Sequence, residues 1–205
     1  MKINKKKFIY LISPNKIKNN NFYNVLDKVF QSKKIGFFQL RLKNIEIQKK
    51  IEIGKKIKKI CKKNQVNFII NDDPNLTKRL NADGCHLGQK DMKINEAKKI
   101  IKKKIIGVTC HNSIKLAKIA IRNKADYLAF GAFYVSKTKK TRYKAKISIL
   151  NSIKKISKIP VVAIGGINEK NYKKLLLNNA NFLAISGYIW KNKKFEPSES
   201  IKKIK

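Results

Sequence analysis

The sequence predicts a single α/β domain over residues 1–205, built as a (β/α)8 TIM barrel. Three observations carry that prediction. Eight short runs rich in Ile, Val and Phe alternate with eight amphipathic, lysine-bearing stretches, the pattern of parallel strands covered by helices. The rarer polar groups follow directly after those runs, where parallel α/β folds bind ligands. The length of 205 residues suits eight tight units near the lower limit for a closed barrel. An open doubly wound sheet is the structural alternative.

The elements follow in order. The first strand is Phe8–Ile12, after a basic lead at residues 1–7. Its apolar run is short, ends in Ser13-Pro14 and lacks a small-residue cleavage site, so it reads as a strand rather than a signal peptide, and the cytoplasm is the expected compartment. No apolar run approaches the roughly 18–20 residues a membrane span needs. A helix at Phe22–Ser32 leads to strand Phe37–Arg41, and the long helix Ile45–Lys63 carries Ile47, Ile51, Ile53, Ile57 and Ile60 close to one face. Strand Asn67–Ile70 is followed by helix Asn75–Leu80, strand Gly84–His86 by helix Ile94–Lys102, and strand Ile105–Val108 by helix Ser113–Asn123. Strand Tyr127–Phe130 opens a long loop, Tyr134–Lys146, before helix Ile147–Ile156. Strand Val161–Ile164, helix Glu169–Leu177 and strand Phe182–Ile185 complete the count, with a last helix near Pro197–Lys203 inside a lysine-rich tail from about residue 191.

The formal charge is +38, from 50 Lys and Arg against 12 acids. A nucleic-acid partner is the first reading of such a balance. Its distribution argues otherwise. The arginines are four, Arg41, Arg79, Arg122 and Arg142, although arginine is the better fork for phosphate and guanine. Lys, Ile and Asn together make up 100 of the 205 residues, which a drift toward A- and T-rich codons produces everywhere at once. The lysines therefore read as solvated helix faces, with weak nonspecific polyanion binding at low salt and no specific nucleic acid. Cys61, Cys85 and Cys110 stand alone, so they read as small buried residues, not as a disulfide or zinc framework.

Chemistry collects after the strands. Arg41 and Lys43, two apart in extended chain, point the same way and suit a phosphate or pyrophosphate; a rim salt bridge from Arg41 to Asp72 is the alternative. Asp72 and Asp91 are two of the few acids and sit on adjacent strand ends, as a Mg²⁺ site needs; a cap on the helix after Pro74 is the competing role, stronger for Asp73 than for Asp72. Gly165-Gly166 and Ser186-Gly187 match a phosphate site after strands seven and eight. His86 and His111 are the only histidines, each an acid–base candidate or a hydrogen-bonded structural residue. Two anion sites and one divalent cation at one mouth imply transfer between two phosphorylated small molecules.

The blocks Gln39-Leu-Arg-Leu-Lys43, Phe68-Ile-Ile-Asn-Asp-Asp73, Ala82-Asp-Gly-Cys-His-Leu-Gly-Gln-Lys-Asp91, Gly107-Val-Thr-Cys-His-Asn112, Ala125-Asp-Tyr-Leu-Ala-Phe-Gly131 and Val162-Ala-Ile-Gly-Gly-Ile167 resemble the thiamine phosphate synthase family. The resemblance runs from about Phe8 to Tyr188. It implies a barrel that joins 4-amino-2-methyl-5-(diphosphooxymethyl)pyrimidine to 4-methyl-5-(2-phosphoethyl)thiazole, or its carboxylated form, by a Mg²⁺-assisted dissociative substitution. It also implies pyrimidine-pyrophosphate contacts from Gln39, Leu40, Arg41, Leu42, Lys43, Asn71, Thr109 and Lys139, with Arg41, Lys43 and Lys139 catalytic. Thiazole-phosphate contacts would come from Ser136, Lys137, Thr138, Gly166, Ile185 and Ser186. Asp72 and Asp91 would hold one Mg²⁺ per subunit, and a homo-oligomer stays open.

The chain departs from the family at several positions. Thr109 stands where a serine is usual, Val135-Ser136 where Pro-Thr is common, and Leu42 and Lys90 where acids are common. Two rival readings are a thiazole tautomerase, in which His111 would move the proton without Mg²⁺, and a polyanion-binding protein on a degenerate barrel.

Overall fold

The computed structural model describes residues 6–17, 19–135 and 143–205. Eight parallel strands close into a barrel in sequence order. They are β1 (Ile9–Ile12), β2 (Ile35–Leu40), β3 (Asn67–Asn71), β4 (Gly84–Leu87), β5 (Ile105–His111), β6 (Tyr127–Gly131), β7 (Val161–Ile164) and β8 (Phe182–Ile185), and β8 pairs back onto β1. The covering helices are α1 (Asn21–Phe30), α2 (Ile47–Lys63), α3 (Pro74–Arg79), α4 (Ile94–Ile101), α5 (Ile114–Arg122), α6 (Ser148–Ile156) and α7 (Tyr172–Leu177). After β8 come α8 (Gly187–Trp190) and α9 (Pro197–Lys202). Among the described residues no helix is long and apolar enough to cross a membrane.

Strand alternation divides the apolar residues into two layers. Tyr10, Ile12, Phe37, Ile69, Tyr127, Ala129, Val162, Phe182 and Ala184 fill the barrel interior. The intervening residues, such as Leu11, Phe38, Ile70, Leu128 and Leu183, face the helices. The same period sends Gln39, His86 and Thr109 inward, because Leu40, Cys85, Leu87, Val108 and Cys110 lie in the outer layer. All three cysteines are free and buried, the role expected of them.

Most elements form where the sequence places them, and the differences have local causes. On α2, Ile51, Ile53, Ile57 and Cys61 are buried, but Ile47, the first residue of the helix, is 46% exposed. β5 runs on to His111, three residues past the expected end, through a register shift between Thr109 and His111 that leaves His111 at φ 54°. Four-residue α8 is too short to have a readable period, and its Trp190 indole N–H donates to the Ile12 carbonyl at 2.6 Å. The lysine-rich tail ends in α9, which buries Ser200 and Ile201 beside α1. Two helix starts are capped by side chains, Leu76 N–H to Asp73 Oδ1 at 2.8 Å and Leu116 N–H to Ser113 Oγ at 3.2 Å.

Candidate active site

The two neighbouring aspartates after β3 have separate tasks. Asp73 caps α3 through its own carboxylate. Asp72 adopts φ 63°, and its N–H donates to the His86 carbonyl at 2.8 Å. Asn71 Nδ2 donates to Asp72 Oδ2 at 2.5 Å. Asp91 is held from the β4 side, where its Oδ2 accepts the Gly88 N–H at 2.6 Å.

The Asp72 and Asp91 carboxyls meet across this gap. Partial burial and then the hydrogen bonding and negative charge of Asp91 push the Asp72 carboxyl up to about 6, against the opposing pull of Arg41 and Asn71. Asp72 is exposed at the rim overall, so water screens the pair and the neighbouring carboxylate is the more specific of these influences. Two carboxylates that repel one another form a fitting donor set for a small, hard divalent cation that keeps waters and takes further oxygens from a ligand. No cluster of three or more His, Cys, Asp or Glu that could hold a metal occurs among the described residues.

Arg41 follows β2 and faces the same mouth. Its guanidinium Nη1 donates to Asn15 Oδ1 at 3.0 Å, and its N–H donates to Ser13 Oγ at 2.9 Å. Lys43 N–H donates to the Asn15 carbonyl at 3.1 Å, so the segment after β1 extends the pairing beyond the end of β2. The Arg41–Asp72 salt bridge that the sequence allowed is absent among the described residues. Arg41 is nonetheless near enough for its charge to act on both Asp72 and His86. Lys43 is exposed.

Leu40 and Leu42 pack in the outer layer, as does Ile185 on β8. A ligand at the mouth could therefore meet buried Leu40 and Ile185 only through their backbone, whereas Leu42 is only partly covered. On this segment Gln39, Arg41, Leu42 and Lys43 stay available as side-chain contacts.

Beneath the rim, Gln39 is buried and donates from Nε2 to Tyr10 Oη at 3.2 Å. His86 Nδ1 lies 2.9 Å from Tyr127 Oη, and its Nε2 lies 2.8 Å from Thr109 Oγ1. Both ring nitrogens are thus engaged, and burial is the main reason that the His86 imidazole is pushed down to about 4. His111 lies farther up β5 and stacks on Tyr143 with ring centroids 3.8 Å apart.

On the opposite side, Gly165 and Gly166 follow β7 with φ of 105° and 64°. A side chain at 166 would collide with the backbone of Tyr134 and Val135, so glycine is required both by φ and by space. Tyr134 N–H donates to the Gly165 carbonyl at 3.1 Å and joins the loop after β6 to this turn. Ser186 follows the adjacent β8, and its Oγ donates to the Ser13 carbonyl at 3.3 Å. The expected contacts Ser136, Lys137, Thr138 and Lys139 lie outside the described residues. Sequence reasoning missed Tyr10, Tyr127, Ser13, Asn15 and Gly88; of these, only Gly88 had a signal, as a glycine three residues before an aspartate in a strand-end loop.

Comparison with known proteins bears on this arrangement. The family model for thiamine monophosphate synthase matches residues 9–189. A thiamine-phosphate synthase of Pelagibacter ubique is 67% identical over 207 residues, covering all of both chains. One from Erythrobacter litoralis is 38% identical over 187 residues, covering 89% of this chain and 87% of that protein. Among solved structures, thiamine phosphate pyrophosphorylase from Pyrococcus furiosus superposes with a TM-score of 0.85 at 26% identity, covering 98% of this chain and 94% of that one.

Proposed function

The chain belongs to the thiamine monophosphate synthase family, and from that premise we propose how its barrel mouth makes thiamine phosphate. The reaction joins 4-amino-2-methyl-5-(diphosphooxymethyl)pyrimidine to 4-methyl-5-(2-phosphoethyl)thiazole, or to its carboxylated form, and releases pyrophosphate. The bond between the pyrimidine methylene carbon and the pyrophosphate oxygen breaks, and the oxygen keeps the electron pair. The thiazole nitrogen then bonds to that carbon. The enzyme is a transferase, and its task is to orient the two substrates and to stabilise the charge that leaves.

The observation that carries the reading is the meeting of the Asp72 and Asp91 carboxyls beside the Arg41 guanidinium. Asp72 and Asp91 would hold one Mg²⁺, which would supply positive charge to offset that of a pyrophosphate. Arg41 and Lys43 serve that anion as catalytic cations, and Lys139, outside the described residues, is assigned the same role. Gln39, Asn71 and Thr109 orient the pyrimidine portion. Gly166 and Ser186, with Ser136, Lys137 and Thr138 and the backbone of Ile185, hold the thiazole phosphate. The partners are two phosphorylated small molecules, with no specific nucleic acid, and the enzyme acts in the cytoplasm.

The test supplies both substrates with Mg²⁺ and follows thiamine phosphate and pyrophosphate in equal amounts. Isomerisation of the thiazole substrate without any thiamine phosphate would replace this reading with the tautomerase.

A further inference from the structure

Four hydrogen bonds below the mouth join side chains from five strands. In order they run Gln39 Nε2 to Tyr10 Oη at 3.2 Å, Tyr10 Oη to Tyr127 Oη at 2.7 Å, Tyr127 Oη to His86 Nδ1 at 2.9 Å, and His86 Nε2 to Thr109 Oγ1 at 2.8 Å. Tyr10 and Tyr127 are 2% and 1% exposed, so no water can substitute for either hydroxyl. Gly107 makes the chain possible, because a Cβ there would fall on the Tyr127 ring. The His86 and Tyr127 rings are also nearly parallel, at an interplanar angle of 17°.

The chain has a direction. Each buried hydroxyl carries one proton, and leaving that proton without an acceptor is destabilising. Gln39 donates to Tyr10, so the Tyr10 proton must go to Tyr127 and the Tyr127 proton to His86 Nδ1. The imidazole proton then resides on Nε2 and is donated to Thr109. Thr109 keeps its own hydroxyl proton for whatever lies above it, and Gln39 keeps its carbonyl oxygen.

We propose that Tyr127, with Tyr10 and His86, is a positioning residue that fixes the opposite hydrogen-bonding characters of the two ends, Thr109 as donor and Gln39 as carbonyl acceptor. An aminopyrimidine offers both complements, amino N–H groups and ring-nitrogen lone pairs. The proposal rests on the reading of Gln39 and Thr109 as pyrimidine contacts, and it gives the three residues between them a part in recognising that ring without touching it.

Two measurements test it. In protein labelled with ¹⁵N-histidine, the two histidines are told apart with a His86→Gln variant. His86 should show a single neutral tautomer protonated at Nε2, which Tyr127→Phe turns into a mixture. In steady-state kinetics, Tyr127→Phe should lower kcat/KM for the pyrimidine pyrophosphate at least tenfold and change KM for the thiazole phosphate less than twofold. Tyr10→Phe should act in the same direction. The double variant should lose no more than the worse single variant, as links of one chain do. Additive losses, an Nδ1-protonated or mixed His86 in the wild type, or Tyr127→Phe kinetics within twofold of wild type would overturn the proposal. Should Tyr127→Phe fail to fold, the wild-type tautomer and the Tyr10→Phe kinetics still decide. A wild type that makes no thiamine phosphate strikes the reading of the site, which the His86 spectrum does not depend on.

Discussion

The Gly88 N–H donates to Asp91 Oδ2 at 2.6 Å, and a methyl group placed on residue 88 would lie 2.9 Å from that same oxygen. The loop after β4 therefore holds one member of the carboxylate pair by a short bond, and a side chain at residue 88 would meet that carboxylate. Gly88→Ala should leave the fold intact and push the Asp91 carboxylate away from Asp72. The Mg²⁺ concentration for half-maximal turnover should rise about tenfold, as expected when a shell that orients a metal ligand is disturbed. A Mg²⁺ titration of activity checks this, and an unchanged midpoint would mean that residue 88 does not position Asp91.

The same pair sets a pH dependence. Asp72 is pushed up to about 6 in the folded, metal-free protein, from the ordinary 3.8 that it regains on unfolding. Its folded value is the higher one, so its contribution to stability is fully present below pH 3.8 and is lost as pH rises through about 6. A divalent cation competes with the proton on Asp72 and favours its ionised form. Mg²⁺ should therefore raise Tm more at pH 7 than at pH 5, and Asp72→Asn should remove most of that difference. Thermal melts with and without Mg²⁺ at the two pH values measure it.

Much of this site could be read from the sequence because it depends on period and position. Alternation along a strand sends Gln39 inward, and the barrel rule places Asn71 and Thr109 near the carboxyl ends of their strands and Gly166 and Ser186 just after theirs. The same alternation puts Leu40 and Ile185 outward, which a list of motif residues does not show. Tyr10 and Tyr127 could not be read. Each looks like an ordinary apolar strand residue, and their hydroxyls meet only because β1 and β6 face one another across the closed barrel, 117 positions apart. The Asn15 contact to Arg41 joins two segments 26 positions apart and left no local signal either.

Adjacent Asp72 and Asp73 should respond to mutation in opposite ways. Asp73→Ala removes the cap on the first turn of α3 and should cost about 1 kcal/mol of stability, with kcat changed less than twofold. Asp72→Ala should cut turnover by two orders of magnitude or more, and Tm of the metal-free protein should fall little or rise, since a repelling carboxylate is gone. Asp91→Ala should likewise cut turnover while leaving thiazole phosphate binding within about twofold, because Gly166 and Ser186 follow β7 and β8, apart from the carboxylates after β3 and β4. Urea unfolding and steady-state kinetics on the three variants separate the roles.

The charge of +38 makes a last prediction, about what the surface does not do. On α2 the lysines at 49, 55, 56, 59, 62 and 63 are exposed, while Ile51, Ile53 and Ile57 of the same helix are buried. Lys63 pairs with Asp27 at 2.7 Å, but 12 acids cannot neutralise 50 basic residues. The positive potential is therefore broad and shared among helix faces. Diffuse lysine charge attracts polyanions through counterion release, which weakens steeply with salt and carries no sequence information. Binding to duplex DNA should be measurable at about 20 mM salt and lost by about 150 mM, the screening range of surface charges. It should be indifferent to DNA sequence at both. Competition with poly-aspartate should displace the DNA, because charge density alone is recognised. Fluorescence anisotropy with two unrelated duplexes over a salt series makes the measurement. Tight binding to one duplex at physiological salt would mean that the lysines form a recognition surface after all.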